Sequence, residues 1–203
     1  MIKLFLKLGS YIYHPLWQST YAMLYYFINV NFMFTYERIL AKLLAVILLT
    51  IIIPLFFLIL FKPLNIIDSF DIKKVKQRRI PLLLFTLISA IIVNYIFDPV
   101  HYIIPFYFFS SVFICGLVSS AAAFLNYKIS LHAVGITNFA TFIIAFNLYY
   151  NINDLFVVSM ALFAVGWVLS SRLSLRAHPI NELLSGTLLG ITSQLLLMQF
   201  WFI

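Results

Sequence analysis

Arg172, His178 and Glu182 fall within one short stretch, SRLSLRAHPINE at residues 171–182, in a chain of which only 9% is charged. Glu182 follows His178 by four positions, which on a helix puts the two side chains on one face, one turn apart. A carboxylate so placed accepts a hydrogen bond from one imidazole nitrogen and holds the other outward as a nucleophile or base. Pro179 comes next after His178, and proline favours the first helical position, so His178 is predicted at the N-cap of a helix. Arg172 precedes it by six, and its planar fork suits two oxygens of a phosphate. Ser130 and His132 are predicted to open another helix, whose N-terminus offers unpaired amides and a positive dipole end to an anion. With basic side chains from a third loop, the chemistry implied is that of a phosphate held by cations and amides between two histidines.

The elements that must position these groups are dictated by composition. The chain has 203 residues, 64% of them hydrophobic, and a mean hydropathy of +1.07. Soluble domains run at about 45–50% apolar and about 25% charged, so this is an all-α polytopic membrane protein and a single domain over 1–203. A spanning helix needs about 20 mainly apolar residues. That rule predicts six or seven spans, at about 16–35, 40–61, 82–98, 103–126, 132–150, 154–171 and 180–201. The first is the weakest, since it carries Gln18, Ser19, Asn29 and Asn31, and it reads as a span or a re-entrant helix. Pro54 is expected to kink the second. Residues 1–61 read as accessory helices and 62–203 as the core. Upstream of the spans, Lys3 and Lys7 mixed with aromatics suggest an amphipathic segment along the interface, not a removed signal peptide. Trp201 suits an aromatic anchor at the far interface. The single cysteine, Cys115, excludes an intrachain disulfide.

Counting crossings brings the polar clusters together. The loop at 62–81 holds six of the thirteen Lys and Arg residues. Two spans separate it from Lys128–His132, and two more separate that segment from Arg172–Glu182. All three therefore share one face. If residues 16–35 span, the N-terminus joins that face, the opposite turns carry only Arg38 and Lys42, and eleven basic residues stand on the site face; by the positive-inside rule that face is then expected to be cytoplasmic. The net charge of +7 reflects topology and anionic lipid head groups; no nucleic-acid partner is expected. Gly186 and Gly190, like Gly166 and Ser170, repeat at the four-residue spacing that lets membrane helices approach closely.

The three clusters, in this order and at these spacings, resemble the type 2 phosphatidic acid phosphatase superfamily of membrane lipid phosphatases. That family carries a Lys-x6-Arg-Pro motif, a Pro-Ser-Gly-His motif and a Ser-Arg-x5-His-x3-Asp motif. The third is matched by Ser171, Arg172, His178 and Glu182, with glutamate for aspartate. The second is half matched, at 129–132, by Ser130 and His132, with Ile129 and Leu131 in place of proline and glycine. The first is matched by Lys73 and Pro81, with Arg79 one place early and Ile80 in the arginine's position. The resemblance implies a phosphatase-like core and a lipid phosphate or polyprenyl diphosphate as substrate. By that analogy His178 attacks phosphorus to give a phosphohistidine, Glu182 orients it and His132 protonates the departing oxygen. Lys73, Arg79, Ser130 and Arg172 bind the phosphate, with no metal and no cofactor. Bacterial relatives that recycle polyprenyl carriers sit in the inner membrane with the site facing outward, against the charge count.

Plainer readings stand beside these. Lys74, Lys76 and Arg78 read as topology signals. Lys128 and Arg176 either snorkel to head groups or touch substrate, and His14 and His101 read as interfacial residues. Leu131, Ile129 and the displaced Arg79 motivate a rival from another class: a non-catalytic protein of the same fold that binds a phosphorylated lipid or a membrane partner.

Overall fold

Hydrocarbon offers a peptide group no hydrogen-bond partner, so long apolar runs close their backbone bonds within helices. The computed structural model describes residues 2–202, and among these there is no strand. Met1 and Ile203, the ends of the expected domain, lie outside the described residues, as does the side chain of Lys3. Eight helices follow in order among the described residues: α1 (Ile2–Ile12), α2 (Pro15–Asn29), α3 (Tyr36–Phe61), α4 (Val75–Ile96), α5 (Ile103–Phe124), α6 (Leu131–Tyr150), α7 (Leu155–Ser174) and α8 (Ile180–Met198). Five of them, α3 to α7, are long and apolar enough to cross a membrane, and the protein is a membrane-embedded helical bundle.

The difference from six or seven lies in α2 and α8. At 15 residues α2 is short, and α8 is interrupted by Thr187, Ser193 and Gln194. Both nevertheless run alongside α6 between the two ends of the bundle. Gln18 of α2 lies at Gly135 and Tyr25 at Asn147; Gly186 of α8 lies at Ser130, and Trp201 beyond its end lies at Tyr149. Their polar groups face protein, which is why neither scores as apolar. α6 is the axis of the bundle, with 67% of its most apolar window buried against 22% for α3. The outer face of α3, including Leu44, Leu48, Ile52, Phe56 and Ile59, is exposed, as a lipid-facing helix requires.

Local devices set the ends and bends. The chain passes through a π-type turn at Leu48–Ile52, just before Pro54; the extra residue accommodates the amide that proline lacks. Four helix ends share one motif, in which a left-handed residue sits between two reversed amide bonds. The residues are Asn65, Asn126, Asn151 and Arg176, with φ of 56°, 61°, 51° and 50°. Asparagine tolerates that conformation; the arginine, at the end of α7, has its amide bonded to Leu173 while Ala177 reaches back to Arg172.

Small residues act unevenly. A Cβ on Gly186 would stand 2.7 Å from the Ser130 carbonyl, and one on Gly190 would collide with Thr137 and the Val134 carbonyl. These two glycines let α8 close on α6. Gly166 has nothing within 4 Å of such a Cβ, so its spacing with Ser170 marks no close helix contact. Trp201, expected as an interfacial anchor, is instead 1% exposed and packed against Phe142 and Tyr149.

The N-terminal segment forms the amphipathic helix α1, docked against α7. Gly9 of α1 fits under the Trp167 ring, Trp167 Nε1 donates to the Phe5 carbonyl at 2.9 Å, and the Ser10 and Ser171 hydroxyls meet at 2.6 Å. Residues 1–61 thus help wall the site: Pro54, Leu58 and Phe61 of α3 line its cavity together with Gln18 and Ser19 of α2.

Candidate functional site

One cavity of ≈ 220 Å³ opens at the end of the bundle where the loops at 62–74, 125–130 and 175–179 meet, and His178, His132 and Arg172 all line it. His178 sits one residue earlier than expected: Pro179 is the N-cap and the helix begins at Ile180. The shift leaves the pairing with Glu182 intact, because the carboxylate rises from the first turn of α8 to meet the ring. Nδ1 and Glu182 Oε2 stand 2.6 Å apart.

The charge state of that pair follows from its surroundings. His178 is 4% exposed. Burial, reinforced by the positive charges of Lys128, Arg78 and Arg172, lowers its imidazole from 6.5 to about 3. At neutral pH the ring is therefore neutral, and the contact is a hydrogen bond from Nδ1–H to the carboxylate, not an ion pair. A ring that donates from Nδ1 keeps its lone pair on Nε2. That is the tautomer a nitrogen nucleophile needs.

Arg172 ends α7, is 9% exposed, and its Nε is buried with no hydrogen-bond partner among the described residues. Taking a guanidinium out of water without compensation is costly. Ser130, fully buried at the N-cap of α6, makes no side-chain cap bond, and its hydroxyl also lacks a partner. Its amide donates to the Glu182 carbonyl at 3.2 Å, tying the start of α6 to the start of α8.

The neighbouring arginines of α4 divide sharply. Consecutive residues on a helix point about 100° apart, so Arg78 and Arg79 cannot share a direction. Arg78 lines the cavity, donating from Nε to the Ile72 carbonyl at 2.9 Å and from Nη1 to the Ile129 carbonyl at 3.3 Å. Arg79 turns to the end of α5, where it donates to the Ala123 and Phe124 carbonyls at 3.1 and 3.3 Å and to Asn126 Oδ1 at 3.0 Å. The structure thus brings in the arginine that reads as a topology signal and spends the other on a helix terminus. Lys73 is exposed and does not line the cavity. Lys128 is half-buried, donating to the Ala177 carbonyl at 3.0 Å, and Arg176 is exposed. His101 is at the other end of the bundle, its ring 2.8 Å from Asp98.

Comparison with protein-family models, curated proteins and solved structures finds no match. The reading of the site rests on its geometry.

Two lining groups have no counterpart in the motifs. His14 lines the cavity, its ring edge-on to that of His132 with centroids 5.1 Å apart. Asp71 also lines it. A histidine before a proline at the start of a helix was the available signal for His14, but only the docking of α1 and α2 shows which cavity it reaches. Leu131 contributes an apolar side chain to the lining beside His132. No group of three His, Cys, Asp or Glu side chains suited to a metal ion occurs among the described residues.

Proposed function

We propose that the protein is a membrane lipid phosphatase of the type 2 phosphatidic acid phosphatase kind, cleaving the terminal phosphate of a lipid phosphate or polyprenyl diphosphate through a phosphohistidine. The observation that carries this reading is His178, its Nδ1 2.6 Å from the Glu182 carboxylate and its ring lining a cavity shared with Arg78, Arg172 and His132. His178 Nε2 attacks phosphorus as the bond from phosphorus to the leaving oxygen breaks, and His132, protonated when the phosphate anion is bound beside it, gives that oxygen its proton. Water then attacks the phosphohistidine. The P–N bond breaks, its electron pair returns to His178, and His132 takes the proton from water. Arg172 and Arg78 hold the equatorial oxygens, where positioned donors have their largest effect. A bacterial inner membrane suits this function. The basic residues of the segments at 62–81, 125–130 and 171–182 favour a cytoplasmic face for the site, although a phosphate site needs cations whichever way it faces.

Leu131 favours a second reading, because it fills space where the motif's glycine would leave backbone open. A protein that holds a lipid phosphate without turnover would meet that constraint. The deciding experiment is phosphate release by the purified protein from polyprenyl diphosphate, phosphatidic acid and phosphatidylglycerophosphate. We expect His178→Ala to lose at least about 10³-fold in rate. Equal rates for the variant and the wild type would end the enzymatic reading. Tight lipid-phosphate binding with no phosphohistidine trapped on acid-free quenching would favour the second.

A further inference from the structure

We propose that His14, delivered by the α1–α2 junction, is a phosphate ligand of this site and donates from Nε2 to a phosphate oxygen beside His132. The inference rests on the phosphate-binding part of the reading above. Three observations carry it. First, His14 lines the same cavity as His132, Arg172 and His178, with its ring 87° to the His132 plane. Second, its Nδ1 accepts the Leu16 amide at 3.4 Å, so in the neutral ring the proton is on Nε2. Third, the neighbouring buried Arg172 carries an unpartnered Nε, so the wall that His14 joins already has an unfilled donor.

The surrounding contacts read as a device for placing this ring. On one side, α1 is tied to the last turns of α7 by Ser10 on Ser171 and Gly9 under Trp167. On the other, Gln18 packs on Gly135 of α6 and its amide donates to the Tyr13 carbonyl at 2.9 Å. The junction is thereby pinned within four residues on both sides of His14, and one of its anchors, Ser171, adjoins Arg172. Capping α2 is a poor account of the histidine by itself. Asn, Asp, Ser and Thr are the preferred caps. Burial first, and then Arg172, lowers the ring from 6.5 to about 4, in keeping with a neutral donor at neutral pH.

The substitution that separates ligand from cap is His14→Asn, since asparagine keeps the cap but does not extend as far into the cavity. Phosphate release, inhibition by inorganic orthovanadate, inorganic phosphate binding and the thermal midpoint are measured for the wild type, His14→Asn and His14→Ala. We expect His14→Asn to keep the wild-type midpoint while losing about 10²-fold in rate, the scale of one oxyanion donor, with orthovanadate and phosphate weakened in parallel. His14→Ala should show the same losses with a lower midpoint. A His14→Asn variant as active and as vanadate-sensitive as the wild type would overturn the inference and leave the phosphatase reading standing. If the wild type releases no phosphate but binds it, and His14→Asn weakens that binding, the ligand role holds and the phosphatase reading fails. A wild type that neither releases nor binds phosphate overturns both.

Discussion

The two ends of the bundle handle buried cations in opposite ways. At the end remote from the cavity, the Lys42 ammonium donates to the Ile96 carbonyl and lies 4.7 Å from the Tyr102 ring centroid and 5.6 Å from that of Phe97. Phe34 stacks on Tyr102 at 4.8 Å and closes the cluster. Every feature of that cation is engaged by the fold itself, and cation–π contacts of this kind contribute about 0.5–2 kcal/mol. At the cavity end, Arg172 is more deeply set than the half-buried Lys42, yet its Nε has no partner among the described residues, and the Ser130 hydroxyl is left likewise. The comparison separates charge that holds a fold from charge that the fold holds for something else. Buried ionisable groups are expensive in a membrane protein; the contacts of Lys42 offset that cost within the fold, and those of Arg172 do not.

Removing one cation from each end gives the largest contrast. Arg172→Met should lower phosphate release by roughly 10²–10³-fold and raise stability by about 1 kcal/mol, because an apolar side chain replaces an unpaired buried charge. Lys42→Met should do the reverse, leaving turnover unchanged and lowering stability by about 1 kcal/mol. Thermal unfolding in detergent alongside the activity assay checks both. If Arg172→Met were destabilised and still active, the distinction between the ends would collapse.

The same contrast recurs within one turn of α4. Arg78→Ala should cost about 10²-fold in turnover, whereas Arg79→Ala should leave kcat/KM within about twofold and cost about 1 kcal/mol of stability through lost bonds to the end of α5. Side-by-side kinetics of the two variants sharpen the assignment. The reverse pattern would return Arg79 to the site.

The smallest effect is on pH dependence. His178 and His14 are lowered from 6.5 to about 3 and about 4 in the folded protein. Below pH 6.5 the unfolded chain takes up protons that the folded chain refuses, so stability is complete above that value and declines as pH falls towards about 3. Thermal midpoints should therefore drop between pH 7 and pH 4, with a shallower slope in His14→Asn. An unchanged slope would mean that His14 is not buried as described.

Much of this was legible in the residues. Apolar runs marked the spans, crossing parity gathered the three loops on one end, and the four-residue spacing of His178 and Glu182 anticipated their hydrogen bond. The choice between Arg78 and Arg79 was not legible, since adjacent positions on a helix differ by a rotation that only the packing of α4 against α5 fixes. Nor was His14, whose neighbour His132 is far along the chain and whose placement depends on a glycine fitting under Trp167. The glycine pairs show the same limit. Gly190 meets Thr137 and Gly166 meets nothing, though both belong to the same kind of pattern.

The contact between Ser10 and Ser171 joins residues 161 positions apart. At a synthesis rate of about 5–20 residues per second, α1 waits on the order of 10–30 s for the helix it docks against. The cavity wall that carries His14 cannot close before then. A chain interrupted between α1 and α7 therefore has α1 in place and no partner for it, and the wall that carries His14 forms only once α7 is made.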